Sequence, residues 1–232
     1  RTNSQDTDKE MMMISEAAQV LHAGWSGGDV LFTGVSTDSR TLRRGNLFVA
    51  LAGEKFDGSH FVASAIENGA VAAMINQATD TEVLSRDIPV IRVNDTRIGL
   101  GQLAAYWRDR FTGPVVGVTG SNGKTTVKEM IAAILRHAAV QRDALADESA
   151  DPVLATEGNL NNDIGVPQML LRLRPYHQYA VIEMGMNHVG EIAYLTRLAK
   201  PTIAVITNAG AAHIEGLGSV EGVARAKAEI MH

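Results

Sequence analysis

Residues Gly117-Val-Thr-Gly-Ser-Asn-Gly-Lys-Thr-Thr126 decide how the second half of this chain folds. An apolar segment, residues 115–118, runs into a glycine-rich turn, and apolar residues recur at helical spacing after the turn. A strand, a glycine turn and a helix in this order are typical of a phosphate-binding loop. Gly120 and Gly123 let backbone N–H groups approach an anion, and the helix start adds unpaired N–H groups and a positive dipole end. The apolar helical positions are Val127, Met130, Ile131, Ile134 and Leu135.

Two side chains after the turn have the chemistry that a nucleotide phosphate requires. Lys124 can place its charge on the β- and γ-phosphates, and the Thr125 hydroxyl can reach a magnesium ion. The spacing departs from the Walker form, because Val118 stands where that form has its first glycine. The alternative is a simple glycine turn whose lysine is incidental, but the strand–turn–helix context and the Lys-Thr pair favour phosphate binding.

The composition excludes several classes of protein. The chain has 232 residues, 45% of them hydrophobic and 5% aromatic, which suits an aliphatic α/β core. A net charge of −5 without a basic run argues against nucleic acid as a partner, and the absence of cysteine excludes disulfides and cysteine zinc sites. No apolar run approaches the roughly 18 residues of a membrane span, and no signal-peptide core is present. We therefore expect a cytoplasmic protein, with a monomer as the working expectation.

The order of apolar segments and turns predicts two α/β units. We expect a polar, disordered tail over residues 1–10, a small α/β unit over 11–95 and a connecting helix within 96–112. Residues 113–232 then form a parallel-sheet phosphate-loop unit, with fewer strands than a complete domain of that kind. Its predicted strands are residues 115–119, 179–183 and 203–207. Residues 141–152 are predicted to form a solvated acidic loop.

Three residues at the ends of predicted elements could carry chemistry, and each has a simpler interpretation. Glu183 ends an apolar strand, where ligands of open α/β sheets bind; it is either a metal ligand or an exposed strand-end acid. His213 also follows a strand, where a histidine is more often structural or solvated than functional. Lys227 lies among small residues on a predicted helix, where a lysine is ordinarily a solvated charge.

Two polar segments are also ambiguous when they are taken alone. The loop with Asn159, Asn161 and Asn162 can be ordinary turn chemistry, or it can offer amide donors and acceptors to a sugar or phosphate. The segment Ser36-Thr-Asp-Ser-Arg40 can be a hydroxyl-rich turn, or a clasp for a diphosphate and ribose with Arg40 as the cation.

Together these segments resemble the Mur ligase family, the ATP-dependent peptide ligases of peptidoglycan synthesis. Residues 119–126 share the family's phosphate loop, including the spacing that departs from the Walker form. The resemblance covers residues 12–231, nearly the whole chain. Its other blocks are Glu183-Met-Gly-Met-Asn-His-Val-Gly-Glu191, Thr207-Asn-Ala-Gly-Ala-Ala-His213, Ala224-Arg-Ala-Lys-Ala-Glu-Ile230, Thr156-Glu-Gly-Asn-Leu-Asn-Asn-Asp-Ile-Gly-Val-Pro167, Ser36–Arg40 and Leu47-Phe-Val-Ala-Leu51. The last three favour the branch that acts on UDP-N-acetylmuramoyl-tripeptide.

The resemblance implies a role for each matching residue. The catalytic residues would be Lys124, Glu183, His213 and Lys227. Magnesium would be held by Thr125, Glu183, His213 and Lys227, the last as a carbamate whose oxygens suit a hard cation. ATP would contact Gly120, Ser121, Asn122, Gly123, Lys124, Thr125 and Thr126, with Asn208 near the adenine. The UDP-sugar peptide would contact Ser36, Thr37, Ser39, Arg40, Thr156, Asn159, Asn161, Asn162, Asn187 and His188.

The implied reaction joins D-alanyl-D-alanine to UDP-N-acetylmuramoyl-tripeptide through an acyl phosphate, with ATP and Mg²⁺ as cofactors. Family members carry a third domain that brings the amine, so we expect the 232 residues by themselves not to ligate. The alternatives are a meso-diaminopimelate-adding ligase, a folylpolyglutamate-type ligase, or a nucleotide-binding module without catalysis. The Asn-Leu-Asn-Asn block argues against the first two.

Overall fold

The computed structural model describes residues 10–53, 56–79, 88–142, 150–210 and 219–231. The chain divides into two compact units, residues 1–106 and 107–232, and the division falls inside one helix, Thr96–Asp109. The predicted tail over residues 1–10 lies almost wholly outside the described residues, as does most of the predicted acidic loop. Both units are α/β, as the sequence predicts.

The first unit is built on a five-stranded sheet, whose strands in spatial order are Gly24–Ser26 (β2), Val90–Val93 (β9), Ala72–Asn76 (β8), Asn46–Val49 (β5) and Gly34–Ser36 (β4). Strands β4, β5, β8 and β9 are parallel, and β2 joins the edge antiparallel to β9. The strands are β1 Met12–Met13, β2 Gly24–Ser26, β3 Leu31–Phe32, β4 Gly34–Ser36, β5 Asn46–Val49, β6 Ala52–Gly53, β7 Phe56–Asp57, β8 Ala72–Asn76 and β9 Val90–Val93. The helices are α1 Ile14–Val20, a 3₁₀ turn Gly58–Phe61, α2 Val62–Glu67 and α3 Thr96–Asp109.

The second unit is a parallel sheet, whose strands in spatial order are Val153–Ala155 (β11), Tyr179–Glu183 (β12), Val115–Thr119 (β10) and Ile203–Ile206 (β13). Strand β10 is central and all five of its residues are buried, so it forms the core of the unit. From β10 the chain crosses to β11 at one edge of the sheet, comes back to β12 beside β10, and then crosses to β13 on the other side of β10. The elements are β10 Val115–Thr119, α4 Lys124–Arg142, β11 Val153–Ala155, α5 Gly165–Leu170, β12 Tyr179–Glu183, α6 Glu191–Ala199, β13 Ile203–Ile206, α7 Val220–Ala228 and a 3₁₀ turn Glu229–Met231.

Several local predictions are wrong, each for a physical reason. Strand β11 was missed because its three residues follow directly on the acidic segment. The helix after the glycine turn buries a narrower face than its spacing predicts: Met130 is 60% exposed and Ile134 is 66% exposed, while Ala132 is buried.

Within the described residues, no helix is both long and apolar enough to cross a lipid bilayer.

Candidate nucleotide and metal site

The glycine turn after β10 is clamped onto the segment that follows β13. The Ser121 N–H donates to the Asn208 carbonyl oxygen at 3.1 Å, and the Asn122 N–H donates to Asn208 Oδ1 at 3.0 Å. In return, Thr207 Oγ1 donates to the Asn122 carbonyl oxygen at 2.6 Å, and Asn208 Nδ2 donates to the same oxygen at 3.0 Å. The loop is therefore shaped by the strand beside β10 and not by its own sequence alone.

The two glycines of the turn are required for different reasons. A Cβ at Gly120 would lie 1.8 Å from Thr207 Oγ1, so the clamp leaves no room for a side chain there. Gly123 has a φ of +77°, which L-residues rarely adopt, but a Cβ there would meet nothing within 4 Å. Gly120 permits close approach of the neighbouring loop, and Gly123 sets the backbone direction into α4.

The lysine of the loop lies over the turn. Lys124 Nζ donates to the Gly120 carbonyl oxygen at 2.9 Å, so the ammonium is folded back at the N-terminus of α4. A positive charge and the unpaired N–H groups of a 19-residue helix meet at this point. This arrangement suits an anion such as a nucleotide phosphate.

Glu183, at the carboxyl end of β12, is brought to the same edge of the sheet. Its side chain is 2% exposed, so it is not the solvated strand-end acid of the simpler interpretation. Thr125 Oγ1 donates to Glu183 Oε2 at 2.9 Å, although the two residues are 58 positions apart in the sequence. Asn161 Nδ2 donates to Glu183 Oε1 at 2.8 Å, and Thr156 Oγ1 accepts the Glu183 N–H at 2.9 Å.

The donor set around Glu183 fits a hard cation. Among the residues that the structure describes, the recorded partners of this buried carboxylate are neutral, so its negative charge has no ion-pair partner. A buried carboxylate without a cation is costly, and Mg²⁺ prefers carboxylate and hydroxyl oxygens. In the described part of the chain, no cluster of three or more acidic, histidine or cysteine side chains is found, and His213 lies outside it.

Lys227 is buried, contrary to the ordinary interpretation of a helical lysine, with 2% of its surface exposed. Its segment packs against the central strand at Gly117, where a Cβ would lie 3.1 Å from Ile230 Cδ1. Burial first, and the charge of Lys124 second, lower the pKa of Lys227 to about 8 from an ordinary 10.5. The two lysine side chains therefore lie close enough for the positive charge of Lys124 to affect Lys227.

Glu229, which was not among the predicted site residues, connects the segment of Lys227 to the loop after β12. The Glu229 carboxylate accepts the N–H groups of Gly190 and Ala193 at about 3.0 Å, at the N-terminus of α6. Glu191 accepts the N–H groups of Asn187 and His188 and contacts the His188 ring. Asn187 and His188 are consequently held on an exposed loop. No pattern in the sequence indicated the contact of Glu229.

Three other predicted site residues of the second unit, Asn162, Asn159 and Thr126, do not contact Glu183 in the recorded bonds of the described residues. Asn162 Oδ1 accepts the N–H groups of Ile164 and Gly165 at the start of α5, which is turn and cap chemistry. Asn159 is exposed, and its carbonyl oxygen accepts the Asn161 N–H. Thr126 is exposed on α4.

The Ser36–Arg40 segment, in the first unit, forms a turn with side-chain bonds of its own and one bond from Asn68 Nδ2 to the Ser39 carbonyl oxygen at 2.8 Å. Ser36 Oγ donates to the Asp38 carbonyl oxygen at 3.0 Å. Arg40 donates to the Asp38 carboxylate through Nε at 2.9 Å and through NH2 at 2.7 Å. This contact holds the pKa of Asp38 at about 2. Ser39 is buried, and Thr37 is half-buried.

A parallel α/β sheet with a glycine turn between its central strand and a helix, beside a buried carboxylate, is typical of proteins that bind nucleotide phosphates. Two family descriptions match the sequence: "Mur ligase family, catalytic domain" over residues 31–108, and "Mur ligase middle domain" over residues 118–232. The chain belongs to the Mur ligase family.

The relatives that this chain matches carry the name of one branch of the family. The UDP-N-acetylmuramoyl-tripeptide–D-alanyl-D-alanine ligase of Escherichia coli K12 is 46% identical over 217 residues, which cover 94% of this chain and 44% of that protein. The enzyme of the same name from Bacillus subtilis 168 is 43% identical over 86% of this chain and 40% of its own length. The chain thus spans less than half the length of these relatives.

Solved structures agree with the sequence comparison. A crystal structure of MurF from Acinetobacter baumannii has a TM-score of 0.79 and 41% identity, covering 93% of this chain and 45% of that one. MurF ligase from Thermotoga maritima, solved in complex with ADP, has a TM-score of 0.69 and 34% identity, covering 85% of this chain and 42% of that one.

Proposed function

We propose that these 232 residues form the UDP-substrate part and the ATP-binding part of an ATP-dependent amide ligase of peptidoglycan precursor synthesis. The proposed reaction joins D-alanyl-D-alanine to UDP-N-acetylmuramoyl-tripeptide. The observation that carries the proposal is the bond from Thr125 to the buried carboxylate of Glu183 beside the phosphate loop. The names of the relatives, the identities of 43–46% and the ADP complex of the Thermotoga maritima enzyme support the same function.

We assign substrate binding to residues 11–95 and ATP binding to residues 113–232, with the helix within 96–112 as the connection. The turn from Ser36 to Arg40 faces the uridine nucleotide in this proposal. Arg40 would then exchange its bond to Asp38 for one to a diphosphate oxygen, which is possible because its side chain is 84% exposed. The other proposed contacts to the UDP-sugar peptide are Thr37, Ser39, Thr156, Asn159, Asn161, Asn162, Asn187 and His188.

The triphosphate of ATP would lie against the backbone N–H groups of the loop and the start of α4. Lys124 would turn from the Gly120 carbonyl oxygen to the β- and γ-phosphates, where its charge stabilises the phosphate as it transfers. Thr125, Glu183, His213 and the carbamate of Lys227 are the proposed ligands of Mg²⁺. When bound, Mg²⁺ supplies Lewis-acid neutralisation of the phosphate charge.

Lys227 is suited to form a carbamate. Only the neutral amine attacks CO₂, forming an N–C bond and releasing one proton, and a pKa of about 8 leaves a useful neutral fraction near neutral pH. The product exchanges a buried cation for an anionic oxygen ligand. It also removes the repulsion between Lys227 and Lys124.

The substrates then react in two steps. The tripeptide carboxylate attacks the γ-phosphorus of ATP, ADP leaves, and an acyl phosphate forms. The amine of D-alanyl-D-alanine attacks the acyl carbon, phosphate leaves, and the products are the amide, ADP and phosphate. We place this reaction in the cytoplasm, with the protein as a monomer. We also propose that the 232 residues by themselves bind ligands but do not ligate, because closure over ATP needs parts that the longer relatives have.

Calorimetric titration with ATP and Mg²⁺ tests the proposal. Lys124→Ala removes a charge-assisted contact worth about 1.5–3 kcal/mol, so the affinity is expected to fall at least about tenfold. Arg136→Ala is the matched control, because Arg136 lies on the same helix but pairs with Asp151 on the surface. Equal ATP affinities of wild type and Lys124→Ala contradict the proposal.

A further inference from the structure

Both the backbone and the side chain of Asn161 are attached to the segment that carries Glu183. The Asn161 side chain donates from Nδ2 to Glu183 Oε1 at 2.8 Å, and its carbonyl oxygen accepts the Gly185 N–H at 2.7 Å. A Cβ at Gly185 would lie 3.0 Å from Asn161 Oδ1, so the Asn161 amide packs directly against the backbone of Gly185. The sequence had suggested only a contact with substrate for Asn161.

The other two asparagines of this loop do not share this position. Asn162 caps the start of α5, where its Oδ1 accepts two backbone N–H groups. Asn159 is exposed to solvent. Among the described residues, Asn161 is therefore the amide of this loop that reaches the metal-binding carboxylate.

The bond from Asn161 fixes one oxygen of Glu183 while Thr125 fixes the other. Thr125 Oγ1 donates to Oε2 and Asn161 Nδ2 donates to Oε1, and the Glu183 N–H is held by Thr156. Two bonds to different oxygens prevent the carboxylate from rotating, yet each oxygen keeps a further lone pair for a cation. An amide suits this task because it donates without a positive charge that would compete with the metal.

We propose that Asn161 is a positioning residue for the magnesium site. Its amide holds the Glu183 carboxylate in the orientation that binds the metal. Residues that hydrogen-bond to metal ligands commonly orient them in this way. This inference rests on the proposed function, since it requires that Glu183 binds the cation that accompanies the nucleotide.

The test measures metal binding without turnover. Mn²⁺ replaces Mg²⁺, and its binding to the ADP-loaded 232-residue chain is followed by electron paramagnetic resonance. Asn161→Ala is expected to weaken Mn²⁺ binding about tenfold or more. The affinity for ADP without metal is expected to stay within about twofold, because the loop contacts of Ser121 and Asn122 are unchanged. Glu157→Gln, the matched control on an exposed side chain of the same loop that pairs with Arg172, is expected to leave both affinities unchanged.

Gly185→Ala provides a second route that keeps Asn161 itself. The added Cβ would lie 3.0 Å from Asn161 Oδ1 and push the amide, so this variant is expected to weaken Mn²⁺ binding in the same direction as Asn161→Ala. Unchanged Mn²⁺ affinity in Asn161→Ala overturns the inference, as does an equal loss of metal-free ADP affinity, which would show a general structural role. If the wild-type chain itself shows no ADP-dependent Mn²⁺ binding, the proposed function fails, and the inference fails with it.

Discussion

The phosphate loop and the Ser36–Arg40 turn are both rich in small polar residues, but they are held in opposite ways. The bonds that shape the loop join Asn122 to Thr207 and Asn208, residues 85 and 86 positions away. The bonds that shape the turn join Ser36, Asp38 and Arg40, which are two positions apart. The first site exists only when the sheet of its unit has formed. The side-chain bonds of the second lie within its own segment, and one long-range bond, from Asn68 Nδ2 to the Ser39 carbonyl oxygen at 2.8 Å, adds to them.

This difference also determines where charge is placed. In the loop region Glu183 and Lys227 are each 2% exposed, so their electrostatic interactions act with little screening. In the turn the Arg40 side chain is 84% exposed and Asp38 is 35% exposed, so water screens their contact. Substitutions in the loop should therefore change stability strongly, and substitutions in the turn should change it little.

The largest effect is expected from a methyl group at Gly120. Gly120→Ala should lower the free energy of unfolding by more than about 3 kcal/mol, because the Cβ meets Thr207 Oγ1 and the positive φ adds strain. Gly123→Ala is the matched control, with open space around the Cβ and only a left-handed backbone. It should cost about 1–2 kcal/mol. Urea unfolding measures both, and equal losses would show that the clamp does not exist in solution.

The next effect has the opposite sign. Lys227→Met should stabilise the metal-free chain at pH 7 by about 3 kcal/mol, since the wild type buries a charge whose pKa is lowered to about 8. The folded wild type loses its proton near pH 8 and the unfolded chain near 10.5, so wild-type stability should rise with pH in that window. The difference in unfolding free energy between the wild type and Lys227→Met should then become smaller as the pH rises. A gap that stays constant from pH 7 to 10.5 would mean that Lys227 is solvated.

The smallest effect is expected in the turn. Arg40→Ala should lower the unfolding free energy at pH 7 only slightly, because water screens this exposed pair, and it should return the pKa of Asp38 from about 2 toward 3.8. The depressed pKa contributes stability that is present above pH 3.8 and is lost as the pH falls toward 2. Carbon-detected NMR titration of Asp38 measures the shift. Arg43→Ala is the control on a nearby exposed arginine, and an equal shift in both variants contradicts the pairing.

The features that the sequence predicted correctly are those that depend on neighbouring residues. The strand before Gly120 and the helix after it follow from apolar spacing around two glycines. The position of Glu183 at a strand end follows in the same way. The two α/β units were also predicted from this local alternation.

The features that could not be predicted depend on which strands are adjacent. The bonds of Thr125 and Asn161 to Glu183 require the order β11-β12-β10-β13, and no residue pattern reveals that order. The burial of Lys227 requires its segment to pack at Gly117. The exposure of Met130 and Ile134 likewise depends on how much of α4 the sheet covers.

The central claim is that Thr125 and Glu183 form one metal site beside the phosphate loop. The most direct measurement is the ATP affinity with and without Mg²⁺, by calorimetry, for wild type, Thr125→Val and Thr125→Ser. Mg²⁺ is expected to strengthen ATP binding to wild type and to Thr125→Ser, which keeps the hydroxyl. Thr125→Val should bind ATP equally with and without the metal. A magnesium effect of wild-type size in Thr125→Val would show that Thr125 and Glu183 do not form a metal site.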